Sequence, residues 1–172
     1  MQVTLKKLKY SEFASEETNC FLADVYVNGE PFAIAQNDGH GGSTHFTKHP
    51  KSKLADHSAF YAKLKEYDAI CKANAPEEDK SYYNFDCLVD EVLTQELYKK
   101  DMKKLFSRSL IVVKKDESKG FYKFGKKKFA LTDEGRINLF KLRLDKLWGE
   151  GSYFVLNSLP ESEALNLYKA CA

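Results

Sequence analysis

The fold is decided by residues 20–36, CFLADVYVNGEPFAIAQ, which predict a β-hairpin. Apolar and polar side chains alternate before Asn28, which is the period of a half-buried strand. Asn28-Gly29 supplies the two left-handed residues of a type I′ turn. Residues 31–36 return as the partner strand, and Pro31 should open that strand or lie at an edge because it has no N–H to donate.

One face of this hairpin carries large apolar side chains and predicts a covering helix. Phe21, Val25, Phe32 and Ile34 would together expose more apolar surface than a monomer leaves in water. We therefore expect an antiparallel meander that begins with a strand over 3–10 and has at least one helix packed on its apolar face.

The rest of the chain alternates helical and extended patterns without an internal repeat. The pattern predicts a helix over 54–74 and a second helix that is capped by Asp86 and runs to Phe106. A hairpin of strands 109–115 and 121–131 follows, and then a helix capped by Thr132, whose predicted apolar face consists of Leu139, Leu142, Leu144, Leu147 and Trp148. The chain ends with a strand over 153–156 and a helix that starts at a capping box on Ser158 and runs to about Cys171. This order predicts an α+β fold: an N-terminal antiparallel β-meander with covering helices, a second basic β-hairpin and a C-terminal helix–strand–helix.

Length, apolar content and cysteine spacing set the broad class. A chain of 172 residues predicts a single α+β domain over 1–172, which would subdivide, if anywhere, near 75–85. The sequence contains no apolar run of about 18 residues and no signal-peptide core, so we expect a cytoplasmic location and no membrane partner. The four cysteines are widely spaced and predict apolar fillers in a reducing compartment: Cys20, Cys71, Cys87 and Cys171.

The glycine-rich stretch over 37–45 is the first candidate binding site. Three glycines in four residues let backbone N–H groups converge on an anion without obstruction by Cβ atoms. The sequence predicts a non-catalytic site for a small anionic ligand, such as a nucleotide, and the alternative is a tight turn whose glycines only satisfy unusual dihedral angles. The predicted ligand-binding residues are Asn37, Asp38, Gly39, His40, Gly41, Gly42, Ser43, Thr44 and His45.

All four histidines fall within 18 residues, which raises the alternative of a metal-assisted hydrolase. They are His40, His45, His49 and His57. Their spacing matches no zinc template, and solvated loop histidines are the competing interpretation, so no metal ligand and no cofactor is predicted. The chain also lacks a G-x-S-x-G or other nucleophile motif. The sequence therefore favours a binding protein over an enzyme and identifies no catalytic residue.

A basic segment gives a second class of function. Residues 103–128 carry ten basic and two acidic side chains, a net charge of +8, whereas the remainder carries 17 basic and 23 acidic, a net charge of −6. Lysines interleaved with aromatic rings can hold single-stranded nucleic acid, and the same pattern is typical of an edge strand whose rings face the core. The alternative function is thus a module over 114–128 that binds nucleic acid or a host protein through Lys114, Lys115, Lys119, Lys123, Lys126, Lys127 and Lys128.

Two stretches resemble known sequences. Residues 15–23, SEETNCFLA, followed by the hairpin and by NDGHGG at 37–42, resemble the opening of small accessory proteins encoded by tailed bacteriophages, and LNSLPE at 156–161 with Ala164 resembles their close. The resemblance implies a phage protein made in the cytoplasm of the bacterial host, with a role against host defence as an association. It transfers no activity and no catalytic residue, and it leaves the oligomeric state open.

Overall fold

The computed structural model of the protein describes residues 1–117, 120–125 and 134–171, with the side chains of 134–136 outside that description. The structure is α+β and has antiparallel sheets, as predicted. The chain forms two compact units, Met1–Thr94 and Gln95–Ala172, whose boundary in sequence falls inside a helix and not near 75–85. In the part of the chain that the structure describes, no helix is both long and apolar enough to cross a membrane.

The N-terminal unit is built on a four-stranded antiparallel meander. Its strands are β1 (Val3–Tyr10), β2 (Phe21–Val27), β3 (Glu30–Asn37) and β4 (His45–Lys48), in the order β1-β2-β3-β4. The predicted turn is confirmed, because Asn28 and Gly29 have φ angles of +50° and +84°. The sequence pattern predicts no strand at β4, which follows directly after the glycine-rich segment.

Two helices cover the apolar face of this sheet, which confirms the predicted arrangement. They are α1 (His57–Asn74) and α2 (Phe85–Phe106). Phe32 of β3 packs against Phe60 of α1, with ring centroids 5.1 Å apart, and against Phe85 of α2, at 5.7 Å. All three rings are buried, so the aromatic contact between sheet and helices is the core of the unit.

The expected position of Ile34 on this apolar face is wrong. The register pairs Ile34 with Asp24, and the neighbouring pair Ala33 and Val25 is the one that is fully buried. A register shift at Val25/Tyr26 lets Phe32 and Ala33 both reach the core, although they are adjacent in sequence. Ile34 therefore lies half-buried on the opposite face.

The caps of the helices differ in part from those expected. α1 begins at His57, later than predicted, because the Asp56 carboxylate accepts the N–H of Ala59 at 2.8 Å. α2 is capped by Asn84, whose side-chain oxygen accepts the N–H of Cys87 at 3.0 Å. The prediction that Asp86 caps α2 is wrong, because its carboxylate points to another part of the unit, described below.

The C-terminal unit surrounds one buried strand. Its sheet has the order β6-β5-β7, with β5 (Leu110–Lys114) between β6 (Tyr122–Phe124) and β7 (Tyr153–Val155). Alternate residues of β5 enter two separate apolar clusters. Leu110 and Val112 pack with residues of α3 (Glu134–Trp148), and Ile111 and Val113 pack with residues of α2 and of α4 (Glu161–Cys171). The sequence of β5 is a continuous apolar run because both faces of the strand are buried.

The predicted apolar face of α3 is wrong in three of its five residues. Leu139, Leu142 and Leu147 are between 59% and 73% exposed, whereas Leu144 is buried and Trp148 packs against the same cluster. The packed side of the helix also uses Ile137 and Phe140, and successive members of this side, which ends with Leu144 and Trp148, are one helical turn apart. The predicted Thr132 cap lies outside the described residues.

The segment before α4 is fixed by an asparagine and not by the predicted capping box. The Ser158 hydroxyl donates to the carbonyl of Val155 at 2.8 Å. The neighbouring Asn157 binds strand β5 twice: its Oδ1 accepts the N–H of Ile111 at 2.7 Å and its Nδ2 donates to the carbonyl of Ser109 at 3.2 Å. A side-chain amide therefore completes the backbone pairing at the start of β5.

A charged cluster lies on the face of the meander opposite the helices. Asp24 of β2 is 2.8 Å from the Nζ of Lys7 and 3.6 Å from the Nε2 of the buried His49. The backbone N–H of Lys51 donates to the Nδ1 of His49, which leaves Nε2 to carry the proton that faces Asp24. Lys7 reaches this position because it has a φ of +51° at a register shift of β1.

This cluster predicts a specific loss of stability in acid. The Lys7 ammonium holds the pKa of Asp24 below its ordinary value. The folded state therefore binds the proton more weakly than the unfolded state, and protonation favours unfolding. The stabilisation that the ionised Asp24 provides is complete above about 3.9, the pKa of an aspartate in the unfolded chain. It is lost as the pH falls through the lower pKa of Asp24 in the folded protein.

We expect the free energy of unfolding to fall less steeply below about pH 4 in Asp24→Asn than in the wild type. Urea unfolding at a series of pH values measures this difference, and Lys7→Met should flatten the same part of the profile. Parallel profiles for the wild type and both variants would contradict the prediction.

Candidate functional site

The glycine-rich loop uses its backbone N–H groups internally. Asn37 Oδ1 accepts the N–H of Gly39 at 2.9 Å, and Asp38 Oδ1 accepts the N–H of His40 at 3.3 Å. The hydroxyl of Thr18 accepts the N–H of Gly41 at 3.3 Å. Side chains of the protein therefore already accept from the N–H groups of Gly39, His40 and Gly41.

The loop is packed against the turn that connects β1 and β2. The carbonyl of Gly39 accepts the N–H groups of Glu16, Glu17 and Thr18 at 2.9–3.2 Å. A Cβ atom on Gly39 would lie 1.9 Å from the carbonyl oxygen of Ala14. Close approach and a φ of +89° therefore explain the glycine at this position, which supports the turn interpretation of the loop.

Beside this loop the N-terminal unit contains a cavity of about 680 Å³, within the range of ligand sites. The turn after β1, the glycine-rich loop, the segment before α2 and the first turns of α2 form its walls. Of the nine residues predicted to bind a ligand, Asn37, Gly42 and Thr44 line the cavity, while Asp38, Gly39, His40, Gly41, Ser43 and His45 do not.

The cavity is strongly acidic. Six carboxylates line it: Glu16, Glu17, Asp79, Asp86, Asp90 and Glu91. No lysine, arginine or histidine lines it among the residues that the structure describes. Carboxylates gathered around one cavity repel an anion and attract a cation, more strongly inside a concave surface than on a flat one.

Two hydrogen bonds brace the acidic walls. The Asp86 carboxylate accepts the backbone N–H of Thr44 at 3.0 Å and so ties α2 to the glycine-rich loop. The Asp90 carboxylate accepts the side-chain amide of Asn19 at 2.9 Å and ties α2 to the turn after β1. Each bond uses one carboxylate oxygen, so both residues keep an oxygen that can receive a ligand.

Three tyrosines share the cavity with the carboxylates. Tyr10 and Tyr83 are half-buried, and Tyr82 is 62% exposed. The Tyr82 hydroxyl donates to Asp79, and this hydrogen bond raises the pKa of the phenol. Burial and a hydrogen bond to Glu91 raise the pKa of Tyr83. The phenols of Tyr82 and Tyr83 therefore stay neutral at physiological pH, and their rings offer faces to which a cation is attracted.

The histidines do not assemble into one group. His40 lies beside Glu16, with Nδ1 3.4 Å from the carboxylate, while His45 is exposed on β4 and His57 begins α1. His49 is buried against Asp24. Within residues 1–117, 120–125 and 134–171, no three histidine, cysteine or acidic side chains are placed to hold one metal ion.

The aromatic rings of the basic hairpin are packed. Phe124 lies 4.8 Å from Phe140 and Tyr122 lies 5.0 Å from Trp148, measured between ring centroids, and Phe121 packs on the other cluster of the unit. Phe121 and Phe124 are half-buried in these contacts, whereas Tyr122 is 36% exposed and is the described ring with most surface free for stacking on bases.

The lysines of the hairpin are described only in part. Lys114 pairs with Glu117 at 3.1 Å, while Lys115 and Lys123 are exposed. Lys119, Lys126, Lys127 and Lys128 lie outside the described residues. The binding of nucleic acid or a host protein at 114–128 therefore stays a prediction.

Most residues of the acidic cavity were missed at the sequence level. They come from four separate segments between Tyr10 and Glu91, and each carboxylate alone is typical of a solvated surface. The available signal was the density of acids at 77–91, where three carboxylates precede a group of three aromatic residues and three follow it: Glu77, Glu78, Asp79, Asp86, Asp90 and Glu91.

Comparison with known proteins adds no relative: no protein-family model, no curated protein and no solved structure matches the chain.

Proposed function

We propose that the protein is a non-catalytic binding protein whose acidic cavity captures an organic cation. The observation that carries this proposal is the combination of six carboxylates and three tyrosines around one cavity of ligand size. Ammonium groups bind carboxylates by charge-assisted hydrogen bonds and bind aromatic faces by cation–π attraction. A pocket that offers both is suited to an amine.

The distribution of the carboxylates favours an extended cation over a single metal ion. In the described ranges no three of them converge on one point. Asp86 and Asp90 follow one another along α2, while Glu16 and Glu17 lie on the opposite turn. Separate negative charges of this kind match a ligand with several spaced ammonium groups, such as a polyamine.

The predicted nucleotide is less compatible with this cavity. A phosphate placed there would meet six negative charges, and the N–H groups of Gly39 and Gly41 already donate to side chains of the protein. An anionic ligand at 37–45, and a phage-type role against host defence, remain predictions. Capture without catalysis is the part of the sequence-based hypothesis that we retain.

Calorimetric titration with spermidine at low and high salt tests the proposal. We expect binding that weakens as salt increases, because exposed charges are screened. The double variant Glu17→Gln/Asp86→Asn should lower affinity about tenfold, at about 1 kcal/mol or less for each partly exposed charge. The amide introduced by Asp86→Asn keeps an oxygen for the N–H of Thr44, so this change removes charge without removing the brace.

The matched control is Glu12→Gln, an exposed acid of the same turn that does not line the cavity. It should bind spermidine like the wild type. If spermidine does not bind at low salt, or if mononucleotides and cyclic nucleotides bind in its place, the proposal is wrong.

A further inference from the structure

The acidic cavity shares a wall with a second cavity of about 540 Å³ in the same unit. Asp79, Tyr83 and Glu91 line both. The two spaces are therefore adjacent compartments that meet at the wall formed by Asp79, Tyr83 and Glu91.

The second compartment is chemically different from the first. Beyond the shared wall it is lined mainly by apolar side chains of α1, α2 and the segment between them, among them Ile70, Ala75, Pro76 and Leu88. Cys71 also lines it, and burial raises the pKa of its thiol to about 11, so the thiol is neutral at physiological pH. A buried neutral thiol behaves as a small apolar group.

We infer that the ligand is an amine that carries an apolar chain, with its ammonium group in the acidic cavity and its chain in the apolar compartment. This inference rests on the proposed capture of an organic cation and adds the class of ligand. The geometry points to it because a charged head finds carboxylates in the first compartment and an apolar tail finds apolar side chains in the second, which adjoins it. A purely polar polyamine would leave the second compartment without a complementary group.

Tyr83 lines both compartments, so a chain that extends from the carboxylates toward Leu88 would lie beside its ring.

Titration with a series of primary n-alkylamines from butylamine to octylamine tests the inference. Affinity should rise about threefold to fourfold for each added methylene, which corresponds to about 0.8 kcal/mol per buried CH₂. The uncharged n-alkanols of the same lengths should bind much more weakly, since they lack the ammonium group.

Variants of the apolar wall locate the chain. Leu88→Asn should remove most of the dependence on chain length and leave spermidine binding unchanged. Ile70→Ala is a milder second variant, which reduces apolar contact without adding a polar group. Leu22→Asn is the control, because Leu22 is exposed on the uncovered face of the sheet and lines neither cavity.

The outcomes separate this inference from the proposed function. If spermidine and the alkylamines bind but affinity does not change with chain length, the apolar compartment does not hold the ligand and the inference is wrong, while cation capture stands. A chain-length dependence that survives both Leu88→Asn and Ile70→Ala also overturns it. If no amine binds, both the inference and the proposed function fail.

Discussion

Replacing Gly39 with alanine is expected to lower the free energy of unfolding by about 3 kcal/mol or more. The φ of +89° disfavours any residue with a Cβ atom. The added atom would also lie 1.9 Å from the carbonyl oxygen of Ala14 and 2.9 Å from the Cβ of Cys20. The first of these is a backbone atom that cannot rotate away, so the loop and the turn must separate.

Gly42→Ala is the matched control for this prediction. Gly42 has a φ of +92°, and no atom lies within 4 Å of the position of an added Cβ. Gly42→Ala should therefore lower the free energy of unfolding by about 1 kcal/mol, which is the cost of a residue with a Cβ atom at a positive φ. Urea unfolding of both variants measures the difference, and equal losses would show that close packing of the loop against the turn does not contribute.

Phe85→Ala should cost about 4 kcal/mol, because it leaves a large cavity in the core of the N-terminal unit. The ring is fully buried, and its centroid lies within 5.7 Å of the ring centroids of Phe32, Phe46 and Tyr67. These three rings come from β3, β4 and α1, so they lose their common contact at once.

Phe13→Ala controls for the removal of a phenyl ring as such. Phe13 is 99% exposed, and its loss should change the melting temperature very little. A loss of stability in Phe85→Ala no larger than that in Phe13→Ala would contradict the assigned core.

The parts of the fold that could be predicted depend on short-range patterns. The alternation in β2 and the Asn28-Gly29 turn lie within one continuous stretch, and the structure confirms them. β4 was missed because it has only four residues and follows a glycine-rich segment, so no periodic pattern could develop. Its antiparallel pairing with β3 holds it in an extended conformation that its own sequence does not predict.

The apolar side of α3 shows a different limit. Several leucines fit a broad helical stripe, and the sequence alone could not decide which edge of that stripe meets the sheet. Contact with Phe124 selects the edge that contains Phe140, Leu144 and Trp148. Packing therefore decides between two helix faces that differ little in composition.

The sequence predicts a candidate site at the glycine-rich loop but does not predict that the cavity beside this loop is lined by carboxylates. The glycine-rich loop does border a cavity, but the N–H of Gly41 donates to Thr18, and the N–H of Thr44 donates to Asp86, 42 residues away. Partners this far apart in sequence have no local signature. The loop thus contributes to the wall of an acidic cavity, and an anion site at 37–45 remains a prediction.

The register shift of β1 has a consequence for how copies of this protein meet in concentrated solution. β1 is an outer strand of its sheet and pairs with β2 alone among the described strands. Its irregularity at Lys7, together with the charges of Lys6 and Lys9, interrupts the straight row of backbone groups onto which a strand from another molecule could add. The register shift that brings Lys7 to Asp24 therefore also disfavours edge-to-edge aggregation through β1.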